Sequence, residues 1–222
     1  MHCLICDRQI EAVITWVTVF KLKPQAPICL TCADQFSKIG EPTCDYCGRD
    51  DRQTCTDCVR WQKRDVMTMN RAVYRYNEFL KETITRFKYR GDYALVEAFS
   101  TEFATGFKNA FPAIPSTTRL VPIPLSDERL RSRAFNQVEA LAKLLPYETV
   151  SLLKRTTGEK QAKKNRQARL ALANPFQLNG NIEPSPVIII DDIYTTGATI
   201  HHAARILKQA GCQPVASFTL AR

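Results

Sequence analysis

Two adjacent acidic residues and a threonine-rich turn form the stretch of this sequence that is best suited to chemistry. Asp191 and Asp192 follow the aliphatic run 187–190, and the turn begins at Thr195, after Ile193 and Tyr194. The turn contains Thr195, Thr196, Gly197, Ala198 and Thr199. Backbone N–H groups and hydroxyls in such a turn can bind a phosphate, but two neighbouring carboxylates would repel a bare one. The pattern therefore favours a sugar phosphate, with its hydroxyls on the acids and its 5′-phosphate in the turn. An ordinary capped strand–turn–helix is the alternative.

Eight of the nine cysteines form four Cys-x-x-Cys pairs near the start of the sequence. The pairs are Cys3 with Cys6, Cys29 with Cys32, Cys44 with Cys47, and Cys55 with Cys58. Two pairs complete a closed tetrahedral thiolate site, so the sequence predicts two structural zinc ions. We favour sequential grouping of the pairs, because Gly48 allows residues 44–58 to form a compact ribbon. A cross-brace, first pair with third and second with fourth, is the alternative.

The positive charge of the chain is concentrated in one region. The formal net charge is +9, and residues 119–169 contain twelve basic and five acidic residues. Such an excess favours a polyanionic partner, a diphosphate or a nucleic acid, although a solvated basic surface would give the same pattern. A predicted loop at 126–137 holds three arginines, whose guanidinium groups can bind pairs of phosphate oxygens. These candidate diphosphate ligands are Arg129, Arg131 and Arg133.

Two segments mix basic residues with groups that contact single-stranded nucleic acid. Residues 87–92 combine Phe87 and Tyr89 with basic neighbours, which is typical of a base-stacking surface unless both rings belong to the core. Residues 154–169 alternate basic residues with Gln and Asn, as backbone-binding segments do, unless they form a solvated loop. The candidate DNA contacts are Lys88, Arg90, Lys163, Lys164, Arg166 and Arg169.

The hydrophobic pattern places these groups on an α/β fold. The predicted strands are 71–76, 120–125, 148–153, 187–190 and 214–221, and the predicted helices are 77–89, 94–110, 136–145 and 200–210. Their order gives a doubly wound parallel sheet in which the run 187–190 is buried on both faces. Asp191 and Asp192 then lie at the carboxyl end of a strand, where such sheets bind ligands. His201 and His202 are expected on the surface of the last helix.

Length and composition exclude several classes of protein. The 222 residues contain no apolar stretch of about 18 residues, so no membrane insertion is expected. The first residues lack a basic region followed by an apolar run, so we expect a cytoplasmic protein without a secretory signal. Paired cysteines in that compartment bind metal rather than form disulfides. We divide the chain into a zinc-binding module at 1–65, with one or two strands at 10–20, and an α/β domain at 66–222.

The stretch 187–199 resembles the phosphoribosyl-diphosphate (PRPP) binding loop of type I phosphoribosyltransferases, with Tyr194 where an aliphatic residue is usual. The resemblance implies a doubly wound parallel sheet of the type I phosphoribosyltransferase kind, and Mg²⁺ that accompanies PRPP. It also implies that the loop at 126–137 binds the diphosphate and that 154–169 carries the flexible loop that closes over the substrate.

Four features together are similar to the ComF family of competence proteins, and to its ComFC branch in particular. They are the cysteine pairs, the stretch 87–92, the stretches 121–124 and 131–137, and the turn 195–199. Ala134 stands where family members commonly have Gly. The resemblance implies a role in natural transformation, in which imported single-stranded DNA is handled at the cytoplasmic face of the membrane. The implied partner is a ComFA-like ATPase and translocase, and the implied ligand is PRPP or a related ribose phosphate.

Two other functions fit the same residues. An active phosphoribosyltransferase would transfer the phosphoribosyl group from PRPP to an acceptor that the sequence does not identify. A pure adaptor would bind the ATPase through the zinc-binding module at 1–65.

Overall fold

The computed structural model describes residues 1–10, 26–41, 44–50, 55–63, 65–89, 92–156 and 174–222. Its strands are β1 (Asn70–Tyr74), β2 (Arg119–Pro122), β3 (Leu153–Arg155), β4 (Phe176–Leu178), β5 (Val187–Ile193) and β6 (Val215–Ala221). Its helices are α1 (Leu30–Ala33), α2 (Thr56–Gln62), α3 (Glu78–Tyr89), α4 (Ser100–Ala110), α5 (Asp127–Arg133), α6 (Gln137–Ala142) and α7 (Ala198–Gln209). The strands predicted at 10–20 fall almost entirely outside the described residues.

A parallel sheet with the strand order β1-β6-β5-β2 organises the chain. The first five residues of β5 and all seven of β6 are buried. Strands covered on both faces have near-continuous apolar sequences, which is why the run 187–190 is so rich in isoleucine. The predicted fold class, a parallel sheet flanked by helices, is confirmed.

Each face of the sheet packs against its own hydrophobic layer. Ile188, Ile190 and Phe218 belong to one layer, which α3, α4 and α6 complete with aromatic and aliphatic side chains. Ile189 belongs to the other layer, which contains the apolar side of α7. That second layer also includes four cysteines, Cys44, Cys47, Cys55 and Cys58. The part of the chain that carries these four cysteines therefore helps to cover this face of the sheet.

Two helix starts follow the capping signals in the sequence. The Asn77 side chain accepts a hydrogen bond from the backbone N–H of Leu80 at 2.9 Å, and α3 begins at the next residue. Asn136 caps α6 in the same manner, since its Oδ1 accepts from the N–H of Val138 at 3.0 Å. Short polar side chains satisfy helix N–H groups that have no partner within the helix.

The structure corrects two predicted elements. The strand expected at 148–153 is reduced to a single parallel bridge between Thr149 and Leu120, and β3 pairs instead with β4 in a separate antiparallel ribbon. Leu152 and Leu153 are both buried, which a regular strand with one covered face would not allow. The helix expected at 94–110 is a 3₁₀ helix, Tyr93–Phe99, that continues into α4.

None of the helices that the structure describes has the length and apolar character needed to cross a bilayer.

Candidate ribose phosphate site and metal centres

The acidic pair lies at the carboxyl end of β5, at the edge of the sheet where the sequence predicted it. Asp191 is still within the ladder, paired with Thr219 of β6, and is only 8% exposed. Its Oδ1 accepts a hydrogen bond from the backbone N–H of Asp192 at 2.9 Å. Asp192 is half-buried and is the more accessible of the two carboxylates.

Burial controls the charge of this pair. Desolvation raises the pKa of Asp191 well above its usual value, and the neighbouring charge of Asp192 raises it further. Lys88 and Arg155 act in the opposite direction. The ammonium group of Lys88 forms an ion pair with Asp192, and both side chains are largely buried. Lys88, a candidate DNA contact in the sequence, is thus placed against the acidic pair.

The turn after β5 depends on a glycine. Gly197 has a φ of 80° and precedes the first residue of α7. A Cβ atom built on Gly197 would lie 2.2 Å from the hydroxyl oxygen of Tyr194, whose buried ring packs directly beneath the turn. Thr195, Thr196 and Thr199 are exposed, so their hydroxyls are accessible to a ligand. The first N–H groups of α7 have no partner within the helix, which suits this end to an anion.

Two side chains from outside the turn donate hydrogen bonds to three consecutive carbonyl groups of the turn. Arg222 Nη1 donates to the carbonyl oxygens of Tyr194 and Thr195 at 3.0 and 2.6 Å. Trp61 Nε1, from α2, donates to the carbonyl oxygen of Thr196 at 2.7 Å. Arg222 and Trp61 are residues at the candidate site that the sequence did not predict. No local pattern marks them, because they are separated from the turn by 27 and 135 positions.

The structure places His201 in a different environment from the one that the sequence predicted. It lies on α7 but is 7% exposed rather than on the helix surface. Its ring stacks on Trp61, with centroids 4.4 Å apart and an interplanar angle of 4°. Its Nε2 lies 3.2 Å from the Tyr194 hydroxyl. The unusual aromatic residue at 194 was the one signal in the sequence that could have indicated a buried partner.

The cysteines group sequentially, as favoured, and not as a cross-brace. One group contains Cys3, Cys6, Cys29 and Cys32, and the other contains Cys44, Cys47, Cys55 and Cys58. Within each group the four sulfurs lie within 4.8 Å of one another. Separations between different pairs are 3.7 Å for Cys6 and Cys29 and 3.6 Å for Cys47 and Cys55. A tetrahedral ion with bonds of about 2.3 Å needs sulfurs about 3.8 Å apart, so both groups fit zinc.

Contacts within the groups lower the pKa of Cys3, Cys44 and Cys55, whereas burial raises the pKa of Cys32, Cys47 and Cys58. Burial by itself would raise the pKa of Cys44, but hydrogen bonds from the backbone around Cys47, Cys55 and Tyr46 outweigh it and lower that pKa to about 6. The pKa of Cys3 is lowered to about 6 in the same way, by the backbone around Cys6, Cys29 and Ile5. Thiolates are the form that binds metal.

The predicted arginine loop at 126–137 is largely helical. Ser126 caps α5 by accepting a hydrogen bond from the N–H of Arg129 at 3.4 Å, and α5 ends at Ala134, whose φ of 66° lies in the left-handed region. That conformation favours glycine, which explains the residue that ComF proteins commonly have there. The helical spacing places Arg131 on a different face from Arg129 and Arg133.

The three arginines differ in exposure. Arg129 and Arg131 are exposed, whereas Arg133 is 8% exposed. Arg133 donates to the Gln137 side chain at 3.2 Å and to the Tyr89 hydroxyl at 3.3 Å, and its guanidinium lies over the Tyr89 ring. Phe87 is a core residue, as the alternative interpretation had it, while Tyr89 is 67% exposed. The other candidate DNA contacts, Arg90, Lys163, Lys164, Arg166 and Arg169, lie outside the described residues.

An acidic pair at a strand end, beside a glycine turn that opens a helix, defines a phosphoribosyltransferase-type site on a parallel sheet. The family model described as "Phosphoribosyl transferase domain" matches residues 111–222, which include the acidic pair and the turn.

Relatives extend the match over the whole chain. The chain is 41% identical to "Competence protein ComFC" of Bacillus subtilis over 99% of its own length and 94% of that protein. It is 34% identical to the Streptococcus pneumoniae protein of the same name, over the full length of both. It is 28% identical to "DNA utilization protein YhgH" of Salmonella typhi over 49% of its own length and 51% of that protein. This chain therefore belongs to the ComFC family of competence proteins, which confirms the predicted family.

The crowding at Gly197 gives a test with a matched control. We expect Gly197→Ala to lower the free energy of unfolding by about 3 kcal/mol, because it combines a strained φ with a clash against Tyr194. Gly180 has a φ of 82°, but a methyl group there would meet nothing within 4 Å, so Gly180→Ala should cost only about 1 kcal/mol. Urea denaturation of both variants measures the difference. Equal losses would show that Tyr194 moves away freely.

The raised pKa of Asp191 gives a second prediction, for the protein without ligand. A carboxyl whose pKa is higher in the folded than in the unfolded state loses stability as pH rises from about 4 through the folded pKa. Asp191→Asn removes this loss and retains an acceptor for the Asp192 N–H. We therefore expect the variant to be more stable than wild type at pH 7, by on the order of 1 kcal/mol, and the advantage to shrink towards pH 4.

The measurement is urea denaturation of both proteins at several pH values. Comparing them at each pH cancels any loss of metal in acid. Glu128→Gln, at an exposed acid on α5, is the control and should change stability little at any pH. A constant difference between Asp191→Asn and wild type would mean that the Asp191 carboxyl does not titrate in this range.

Proposed function

We propose that this chain is a cytoplasmic competence protein that handles imported single-stranded DNA and binds PRPP, or a related ribose phosphate, at the end of β5. The observation that carries the ligand assignment is the acidic pair beside the glycine turn of α7. The observation that carries the DNA assignment is membership of the ComFC family together with the basic excess in residues 119–169.

Different residues of the site bind different parts of the ligand. Asp191 and Asp192 accept hydrogen bonds from the ribose hydroxyls, and Thr195, Thr196, Gly197, Ala198 and Thr199 bind the 5′-phosphate through hydroxyls and backbone N–H groups. Bound Mg²⁺ would offset the charge of the diphosphate. Lys88, already in contact with Asp192, keeps a positive charge at the ribose end of the site. Arg129, Arg131 and Arg133 are the proposed diphosphate ligands, of which the first two are exposed.

Single-stranded DNA is proposed to run across the basic surface near this site. Tyr89 is exposed and carries the guanidinium of Arg133 on its ring, which makes it a platform for a stacked base. The proposed backbone contacts are Lys88, Arg90, Lys163, Lys164, Arg166 and Arg169. The basic excess is larger than one diphosphate needs, which favours a longer polyanion.

The N-terminal segment supplies the proposed metal centres. We assign one zinc ion to each cysteine group, with a structural role, since all eight ligands are thiolates and no coordination position is left for a substrate. We place the boundary between this module and the phosphoribosyltransferase-like domain near residue 65. A ComFA-like ATPase is the proposed protein partner, and it would hold the chain at the inner face of the membrane.

Binding of PRPP tests the ligand assignment. Asp192→Asn removes a charged acceptor, and we expect it to raise the Kd for PRPP in the presence of Mg²⁺ about tenfold or more. Isothermal titration calorimetry measures this, with Glu183→Gln as a charge-matched control, because Glu183 is exposed and precedes the start of β5, at the opposite end of the strand from the site. No PRPP binding by wild type would sink the assignment.

The same samples decide between binding and catalysis. A working transferase, which the phosphoribosyltransferase family match favours, would release diphosphate from PRPP when given a suitable acceptor. Diphosphate release that depends on one member of a panel of nucleobases and nucleosides would establish the transferase. PRPP binding without release across the panel would support a ligand with a structural or regulatory role.

Charge reversal tests the DNA assignment. We expect the triple variant Lys163→Glu, Lys164→Glu and Arg166→Glu to weaken binding to an oligonucleotide. The slope of log affinity against log salt should fall by about two, since each lost contact removes about 0.7. Fluorescence anisotropy at several salt concentrations gives both quantities, with and without PRPP.

The control for the triple variant is charge reversal at Lys81, Lys108 and Lys143, three exposed basic residues elsewhere on the domain. This variant should change the affinity much less. Equal effects in both variants would mean that DNA responds only to net charge and that the segment 154–169 is not its binding site.

A further inference from the structure

We propose that Arg222 is a positioning residue that couples the second cysteine group, Cys44, Cys47, Cys55 and Cys58, to the phosphate turn. Metal bound in this group and ribose phosphate bound at the turn then strengthen each other's binding. The inference rests on the proposed ligand and zinc ion.

One guanidinium group contacts both sites. Arg222 Nη1 donates to the carbonyl oxygens of Tyr194 and Thr195, while Nη2 lies 3.0 Å from Cys47 Sγ and 3.9 Å from Cys55 Sγ. The guanidinium also lies over the Tyr194 ring, 4.6 Å from its centroid. Because the guanidinium is planar and its donors have fixed directions, the cysteine group and the turn are held at a defined separation.

These contacts orient the groups that would bind phosphate. In a trans peptide unit, the carbonyl of one residue and the N–H of the next point in opposite directions. The carbonyls of Tyr194 and Thr195 point to Arg222, and that of Thr196 points to Trp61. The N–H groups of Thr195, Thr196 and Gly197 therefore point away from Arg222 and Trp61, which leaves them available to a ligand.

A second connection runs through α2. This helix begins directly after Cys55 and contains Cys58, so its placement depends on the cysteine group. Trp61 on α2 donates to Thr196 and stacks on His201 of α7. A small cavity of about 160 Å³ borders this contact, lined in part by Cys58, Trp61 and Tyr194. Metal that fixes α2 thus also fixes the start of α7.

Charge explains why the coupling acts in both directions. Four thiolates around a divalent cation carry a net negative charge, and a guanidinium donor on a ligand sulfur stabilises it. Loss of the metal leaves Cys47 free to move, so that Arg222 becomes a poorer anchor for the turn. Thermodynamic linkage requires the reverse effect by the same factor, so a bound ligand must raise the affinity for the metal.

The first cysteine group provides an internal comparison. Arg86 donates to the carbonyl oxygens of Ile5 and Leu4 at 2.6 and 3.2 Å, so this group is attached to α3. Among the described residues, none of its cysteines contacts the turn. Metal in this group should therefore be insensitive to ligand at the turn.

The experiment measures zinc affinity and ligand affinity on the full-length, zinc-loaded chain. A chromophoric chelator competes for the zinc at equilibrium with and without ribose 5-phosphate, and Cys6→Ser, which disrupts the first group, assigns the two steps of the titration. We expect ribose 5-phosphate to raise the zinc affinity of the second group several-fold and to leave that of the first unchanged. Arg222→Gln should abolish this protection of the zinc against the chelator and raise the Kd for ribose 5-phosphate about tenfold.

Three further variants make the test specific. Arg222→Lys retains the charge without the planar geometry and should restore only part of the protection, which a purely electrostatic role would not predict. Arg119→Gln, at an arginine that pairs with Glu148 and Glu183, is the matched control and should behave as wild type. If Arg222→Gln does not fold, Trp61→Phe replaces it, because it removes the hydrogen bond to Thr196 while keeping an aromatic ring beside His201, and it should reduce the protection.

The outcomes separate this inference from the proposed function. Wild-type binding of ribose 5-phosphate with equal affinity in Arg222→Gln, and zinc affinity indifferent to ligand, would overturn the coupling alone. Failure of wild type to bind either ribose 5-phosphate or PRPP would overturn the proposed ligand and the coupling with it.

Discussion

A β-strand buried on both faces needs cover on both sides, and in this protein four cysteines form part of that cover. Cys44, Cys47, Cys55 and Cys58 lie in the same hydrophobic layer as Ile189 and the inner side of α7. A chain segment with so few apolar side chains needs a crosslink to hold a fixed shape there, and the proposed metal ion in this group would provide one. The position of α7, and with it the phosphate turn, follows from how this layer packs.

The two carboxylates at the end of β5 lower the stability of the fold when no ligand is bound. Asp191 is desolvated beside a second carboxylate, and its charged form is disfavoured until a cation or a set of hydroxyl donors is present. Lys88 supplies part of that compensation through Asp192. Perturbed pKa values of this kind are concentrated at functional sites, which is consistent with the proposed binding site.

The sequence predicted features that depend on neighbouring residues, but it did not predict contacts between residues that are far apart in the chain. The isoleucine run, the acidic pair, Gly197 and the caps Asn77 and Asn136 each act within a few residues, so their patterns predicted β5, its turn and two helix starts. The helix at 127–133 was overlooked because its arginines suggested phosphate binding, although Ser126 is an ordinary N-cap. Arg222 meets Cys47 across 175 positions, and no spacing rule can find such a pair.

The contact between Cys47 and Arg222 also bears on how the chain is made. Translation delivers the cysteine group long before β5, β6 and α7, so its inner side stays uncovered while most of the α/β domain is still being synthesised. During that interval the proposed metal ion would give the group a defined shape before the sheet is present. The sheet would then fold against a surface that is already formed, and the phosphate turn would become ordered after it.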